Sequence, residues 1–471
     1  MRKKLIALLF TIGIIAAAFY LGNYVVTSPD VALAVVIGIV PAVVCCVVIA
    51  RDSSDRAFLL KVFVAALIVR WVVAFLIFTY HRQTFFGPDA ETYDIFGNAL
   101  SQSWSGLVDP KAPWLLRYTD INRSGWGMFY YVASIYHVLG RNPLAIQLIN
   151  AGLGAALCLV IYKLAMMVYP ERRVARVSAL LSAFSPSLIL WSSQGLKDTP
   201  IALCLCLCTL FTLKLREKLD ALSLALLLAF LFCLFSLRHY AFYIAFTAIA
   251  GTFIVAAKRF TPLRIAQGGL VVLVLGVSLA YFGATGVDPA AFDPQVIQRA
   301  RVWGAAAATS GFGGDVDITD PHAALAFLPL GILHVLFAPF PWTITNLRQL
   351  ITLPELVLWW AFVPIMLRGY WFAIRHRLRE SFGICLFSVG LILAYALYQS
   401  NAGTAYRHRA QLYGFFFVFI GIGLELRRAA KLKKRLHPGF NRPSFAAAGT
   451  AGASGQFASV PARSSDFRVR T

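Results

Sequence analysis

Charge is scarce in this chain. Charged side chains make up 14% of its 471 residues and apolar ones 59%, where soluble domains carry about 25% charged residues. That composition excludes a water-soluble globule. Acid is scarcer still, with 21 Asp and Glu against 43 Lys and Arg. The eight cysteines (Cys45, Cys46, Cys158, Cys204, Cys206, Cys208, Cys233 and Cys385) all fall in apolar stretches, so there is no extracellular disulfide framework to read. The run "CLCLC" at 204–208 has no His or acid beside it. On a helix Cys206 points away from its two neighbours, which marks packing residues rather than metal ligands. The first apolar run, residues 5–20 after Arg2, Lys3 and Lys4, continues into "YLGNYVVTSPD" without a small-x-small cleavage site. It reads as an uncleaved helix rather than a signal peptide. Internal repeats and a second soluble domain are also missing.

What is present is a succession of apolar runs of roughly 17–25 residues, each long enough to cross a bilayer core. They predict an all-α polytopic membrane protein with twelve spans, near 5–26, 31–50, 57–79, 143–169, 173–192, 197–214, 219–237, 239–257, 265–284, 355–374, 381–399 and 410–426. The excess of cations is distributed, not diffuse. Arg2/Lys3/Lys4, Arg51/Arg56, Arg172/Arg173/Arg176, Lys214/Arg216/Lys218, Lys258/Arg259/Arg264, Arg375/Arg377/Arg379 and the basic run 427–435 all fall on one side of such a topology. Basic clusters mark the cytoplasmic side, so both termini are expected there, and the basic balance needs no nucleic acid to explain it. The same alternation requires that 125–140 and 323–343 do not cross. They read as interfacial or re-entrant elements within two outer loops, about 80–142 and 285–354.

Residues 428–471 are basic, then rich in Ala, Gly, Ser and Pro, and read as a disordered cytoplasmic tail. Trp104, Trp114, Trp126, Tyr130 and Tyr131 give the first outer loop the composition of an interfacial aromatic belt.

Four outer-face stretches carry polar residues that topology does not ask for. In "GPDAETYDIF", Asp89, Glu91 and Asp94 follow directly on a span. A helix start explains them adequately, with Asp89 as N-cap and Glu91 favourable in the first turn; an acid held there is also a well-placed general base. In "SPSLILWSSQGLKDTP", Lys197 and Asp198 form either a cap pair or part of a site. "RHY" places Arg238 at another outer turn. In "SNAGTAYRHRAQLYGFF", Arg407, His408 and Arg409 lie on the side that the basic clusters otherwise avoid, and paired arginines suit a phosphate through bidentate hydrogen bonds. Arg70, in mid-span, should face the bundle interior. Carboxylates beside cations at helix ends point to group transfer from a lipid phosphate. A base would deprotonate an acceptor hydroxyl while cations stabilise charge on the departing phosphate.

This layout resembles the C-type (GT-C) integral-membrane glycosyltransferases, the broad group that includes dolichyl-phosphate-mannose–protein mannosyltransferases and bacterial lipid A aminoarabinose transferases. The likeness is carried by an Arg-bearing helix ending in "GPDAETYDIFGNAL", by the stretch from "GWGMFYYVASIYHVLG" to "SPSLILWSSQGLKD", by a long second outer loop, and by "GTAYRHRAQLYGFF". It covers about 57–427, leaving 1–56 as two additional helices. The resemblance implies inverting transfer from a polyprenyl-phosphate-linked sugar to a hydroxyl of a glycan, lipid or protein, on the outer face of the cytoplasmic (inner) membrane. It maps catalysis onto Asp89 with Glu91, and the donor phosphate onto Lys197, Arg407, Arg409 and Arg238. Asp94, His408 and Asp198 are left as contacts to acceptor or sugar. The acids here are spaced D-x-E rather than adjacent, and the late arginine lacks the usual following proline. The shares of Asp89 and Glu91, and the choice between Arg407 and Arg409, therefore stay open. Metal dependence varies across these enzymes, so the resemblance fixes no cofactor and allows a divalent cation (Mg or Mn).

Two other functions fit such a chain. A polysaccharide polymerase or ligase using polyprenyl-diphosphate glycans would lean on Arg407 and His408 and be indifferent to Asp89. A lipid or sugar transporter would place its polar residues near mid-membrane rather than at outer helix ends.

Overall fold

The computed structural model describes residues 29–52, 55–255, 293–344 and 346–436, together with the isolated positions Gly269, Leu273 and Val277. Among these, regular structure is helical throughout, and the only strand-like pairing is one bridge between Gly311 and Asn401. Seven helices are long and apolar enough to cross a membrane: Pro29–Arg51, Arg56–Thr79, Pro143–Val168, Asp198–Glu217, Leu347–His376, Leu378–Tyr398 and Ala402–Lys433. A bent pair, Arg172–Phe184 with Pro186–Ser192, makes an eighth candidate. Ala221–Leu237 and Pro321–Phe337 are apolar but shorter. The protein is a multi-pass, all-α membrane protein. Of the twelve expected spans, 5–26 lies outside the described residues, and so does 265–284 apart from Gly269, Leu273 and Val277.

Pro143–Val168 is the central helix, and its span is 83% buried. Its start is set locally. Asn142 accepts a hydrogen bond from the Ala145 amide, and Pro143 takes the first helical position, where a missing N–H costs nothing. The helix packs against Pro29–Asp52, Arg56–Thr79, Arg172–Phe184 and Asp198–Glu217. Gly154 permits its closest approach, since a Cβ there would stand 2.4 Å from the Ser192 Cβ.

The bent pair matters most for the site. Pro186 has no N–H to donate and Ser185 is extended (φ −65°, ψ 123°), so the helix breaks there by 53°. A break strands backbone carbonyls in an apolar interior. Arg70, fully buried, donates to the carbonyls of Ser182 (3.1 Å) and Ala183 (2.8 Å) and to the Ser192 hydroxyl (3.0 Å). It does face the bundle interior, and its partners are backbone and hydroxyl oxygens rather than an acid. Glu355 completes the repair, accepting from the Ser185 and Ser187 hydroxyls, the Ser187 amide and Tyr406 Oη. The short second limb then delivers the turn that carries Lys197 and Asp198.

Asp89–Trp104 lies along Trp126–Leu139, where a Cβ on Gly97 would meet Val132 at 2.5 Å. Trp126–Leu139 has 14 residues, about 21 Å of helix, too short for a core of about 30 Å. The segment expected not to cross at 125–140 is thus too short to do so as one helix.

The chain 293–344 is tied to the late site helix by a strap. The Phe312 amide donates to Ser400 O at 2.8 Å and the Ala402 amide to Ser310 O at 3.0 Å. Asn401 caps Ala402–Arg409, which passes through the 3₁₀ turn Ala410–Leu412 into Tyr413–Leu436. That last helix crosses Leu347–His376 at two glycines: a Cβ on Gly369 or Gly423 would strike the Phe419 or Ile365 carbonyl, the small-residue contact of close membrane crossings. Residues 428–471 form a separate unit whose described part, 428–436, is helical.

Candidate active site

The first turn of Asp89–Trp104, the turn before Asp198–Glu217, the junction at Arg238 and the helix Ala402–Arg409 meet at one end of the bundle. Arg407 is their hub. Its Nη1 donates to Asp89 Oδ2 at 2.7 Å, and Nε and Nη2 both reach Asp198 Oδ2, at 2.7 and 2.6 Å. Asp198 is 3% exposed and also accepts from Gln411 Nε2 (2.6 Å), with Arg238 Nη2 3.6 Å from its other oxygen. Such a buried carboxylate is tolerated because both of its oxygens accept hydrogen bonds and two guanidinium groups lie close to it. Asp89 is different: its side chain is 50% exposed.

Asp89 is not the N-cap. Pro88 occupies that position, and no side chain caps the helix start. As the first helical residue, Asp89 is spared the backbone amides a cap would bind, and its carboxylate is turned to Arg407 and to the opening. The simple helix-start account therefore fails for this residue, although an acid in the first turn still suits the helix dipole.

Lys197 stands beside this network, its Nζ lying against the turn at Gly125, where a Cβ would come within 2.8 Å of it. Gly125 has φ +95°, so glycine is required on both counts. Lys197 sits 5.9 Å from the centre of the Tyr93 ring, and no carboxylate is within ion-pair distance of it among the described residues. Burial, and after it the charge of Arg238, lower its pKa to about 8. Arg238 is 6% exposed and donates to Tyr395 Oη at 3.4 Å.

The neighbouring candidates separate. His408 is buried, bonded to Gln399 at 2.8 Å and stacked on Tyr395, behind the wall of the site rather than in it. Arg409, two residues from Arg407 and so about 200° around the helix, faces the other way. It is fully buried, donates to the carbonyls of Leu336 (2.7 Å) and Ala338 (3.0 Å), and lies over Tyr406 and Trp359. Its guanidinium fixes the end of Pro321–Phe337, so the expectation that Arg409 shares a phosphate site does not match its placement. Asp94 is taken up by Arg141, at 2.5 and 3.2 Å, and by Tyr136 Oη at 2.7 Å. Glu91, exposed, accepts only a long bond from Thr84 at 3.4 Å and faces a separate cavity with Asp94.

Sequence reasoning missed Gln411, Tyr395 and Tyr93, and also Trp191, over which Arg407 lies at 5.8 Å. An amide and aromatic rings in an apolar chain carry no signal of their own; only proximity to Arg407 reveals them. The donor set does not fit a divalent cation. Asp89 and Asp198 are spanned by one guanidinium, and no group of three or more His, Cys, Asp or Glu suited to a metal occurs among the described residues.

Residues 126–282 match the family model described as dolichyl-phosphate-mannose-protein mannosyltransferase. The chain resembles the C-type membrane glycosyltransferases. The matched segment contains Lys197, Asp198 and Arg238, while Asp89, Glu91 and Arg407 lie outside it. The apo crystal structure of the Archaeoglobus fulgidus oligosaccharyltransferase is similar over 81% of this chain at 14% identity, with a TM-score of 0.46. The chain matches about half of that protein, 52%. No curated protein matches.

Proposed function

We propose that the protein transfers a sugar from a polyprenyl-phosphate-linked donor to a hydroxyl acceptor, with inversion, using Asp89 as the general base. The observation that carries this reading is the pairing of a half-exposed carboxylate with an unpaired cation, on either side of one buried ion-pair network. Arg407, anchored by Asp198, aims Asp89. The acceptor oxygen attacks the anomeric carbon while its proton passes to Asp89. The bond from that carbon to the phosphate oxygen breaks, leaving its electron pair on the phosphate. Lys197 and Arg238 receive that developing charge. Arg407 acts as a positioning residue because each of its three nitrogens already serves a carboxylate. Residues 57–427 form the catalytic part in this reading, with 1–56 and the basic residues after 427 outside it. The site faces outward from the cytoplasmic membrane in this reading, which the bias of the seven basic clusters supports. The polymerase or ligase alternative leans on Arg407 and His408 without Asp89; Arg407 is in the site, while His408 is buried against Gln399 and Tyr395.

The test is purified protein in lipid, supplied with short-chain polyprenyl-phosphate hexoses and hydroxyl acceptors, with products read by mass spectrometry. Wild-type protein should release free polyprenyl phosphate together with a glycosylated acceptor. Release that is equally fast in Asp89→Asn would refute the assignment of the base.

A further inference from the structure

On the Glu91 side of the same helix turn lies a cavity of about 250 Å³, lined among others by Gln83, Thr84, Glu91, Asp94, Tyr136 and Gln147. Asp89 is not among its lining residues. The volume is near the lower end of ligand cavities, which start at roughly 300 Å³, and suits one ring rather than a chain.

Three amides govern its polarity. Gln194 Nε2 donates to the Leu190 carbonyl at 2.9 Å, Gln83 Nε2 donates to Gln194 Oε1 at 2.9 Å, and Gln147 Nε2 donates to Gln83 Oε1 at 2.6 Å. A backbone carbonyl can only accept, so the anchor at Leu190 sets the direction of the whole relay. Each amide must present its nitrogen towards the anchor and its oxygen away from it. The relay ends on Gln147 Oε1, which is buried and has no partner among the described residues, in a residue 3% exposed. An unmet acceptor in such a place is costly. It is the mark of a group that awaits a donor.

The rest of the lining agrees. Glu91 offers a carboxylate with only one weak bond. Asp94 has its charge matched by Arg141, and Tyr136 spends its hydroxyl proton on Asp94. His81 and Tyr93 also line it, so the cavity presents chiefly acceptors with a few donors, and a ligand must bring donors of its own. The carboxylate of Glu91 disfavours a phosphate or carboxylate there.

We propose that the cavity binds one neutral, hydroxyl-rich sugar ring, the ring of the acceptor that carries or adjoins the attacking hydroxyl. This rests on the transfer reading above. It assigns the acceptor to the Glu91 side of the turn and leaves the side of Lys197 and Arg238 to the donor phosphate. Gln147 and Gln83 then recognise ring hydroxyls, and Glu91 orients one of them.

Saturation-transfer NMR on the full chain in lipid nanodiscs tests this, with methyl β-glucoside as the neutral probe, glucosamine as the cationic one and glucuronate as the anionic one. Methyl glucoside should bind and glucuronate should not. Gln147→Leu should weaken the glucoside by tenfold or more. Gly195→Val fills the cavity at a position where a Cβ meets nothing closer than 3.6 Å, and it should abolish binding without disturbing the amide relay. Equal glucoside binding in Gln147→Leu and Gly195→Val would overturn the proposal. So would glucosamine binding more than tenfold tighter than the glucoside, or displacement of the glucoside by a polyprenyl-phosphate hexose, which would make the ring the donor's. If glucoside binding behaves as expected but Asp89→Asn still transfers sugar, the transfer reading fails and the cavity stands.

Discussion

The guanidinium of Arg407 lies between Asp89 and Asp198, 2.7 Å from the first and 2.6 Å from the second. One of these acids is half exposed and the other buried. A single cation therefore ties the half-exposed carboxylate to the buried one. The predictions concern what happens when members of this arrangement are changed.

Removing the hub should expose its structural share. Arg407→Ala leaves Asp198 buried with only Arg238 and Gln411 for partners, and breaking a buried pair costs about 3–5 kcal/mol. Its thermal midpoint in detergent should fall clearly. Arg407→Lys keeps a charge but cannot span two carboxylates. It should retain most of the stability and lose most of the turnover.

Asp198→Asn should act through Arg407. The amide accepts at one oxygen only, so Arg407 is less firmly held and Asp89 is less well aimed. Turnover should fall with little change in donor KM. A rise in donor KM alone would instead place Asp198 against the donor.

Lys197 gives the site a pH dependence. Its pKa is lowered to about 8 by burial and by Arg238, so the ammonium is lost as pH rises through that value. Donor KM should rise above about pH 8, and Lys197→Arg, which stays charged, should flatten the profile. The linkage has the opposite sign for folding. Between about 8 and the ordinary 10.5 the unfolded chain binds more protons at this residue, so its contribution to stability grows with pH. Donor binding and stability should therefore move apart across that range.

Arg409→Leu should leave donor binding intact. It strips two backbone carbonyls of their donor, and hydrogen bonds from a charged group contribute about 1.5–3 kcal/mol each. A loss of stability at unchanged donor KM is the expected pattern, and a raised donor KM would return Arg409 to the phosphate site.

How much of this was legible in the sequence depends on distance along the chain. The apolar runs showed a multi-pass helical protein. The bend at Pro186 follows from local chemistry, yet 173–192 reads as one span because hydropathy does not register a missing N–H. Asp89 was visible as an acid at a helix start, whereas its partner Arg407 is 318 residues away and no local pattern joins them. Arg407 and Arg409 could have been told apart, since two residues on a helix face opposite sides. Gln83, Gln147 and Gln194 were invisible because an uncharged amide becomes notable only when its neighbours leave it one atom short of a partner.

The central claim, that Asp89 accepts the proton in sugar transfer, is tested most directly by the turnover of Asp89→Asn with saturating donor, alongside its unfolding midpoint. The amide keeps the shape and can still accept from Arg407, but it is no base. The account predicts a fall of about 10²–10⁴-fold in turnover with the midpoint nearly unchanged, because this residue is half exposed and caps nothing. Turnover within a few-fold of wild type in a well-folded Asp89→Asn protein would contradict it.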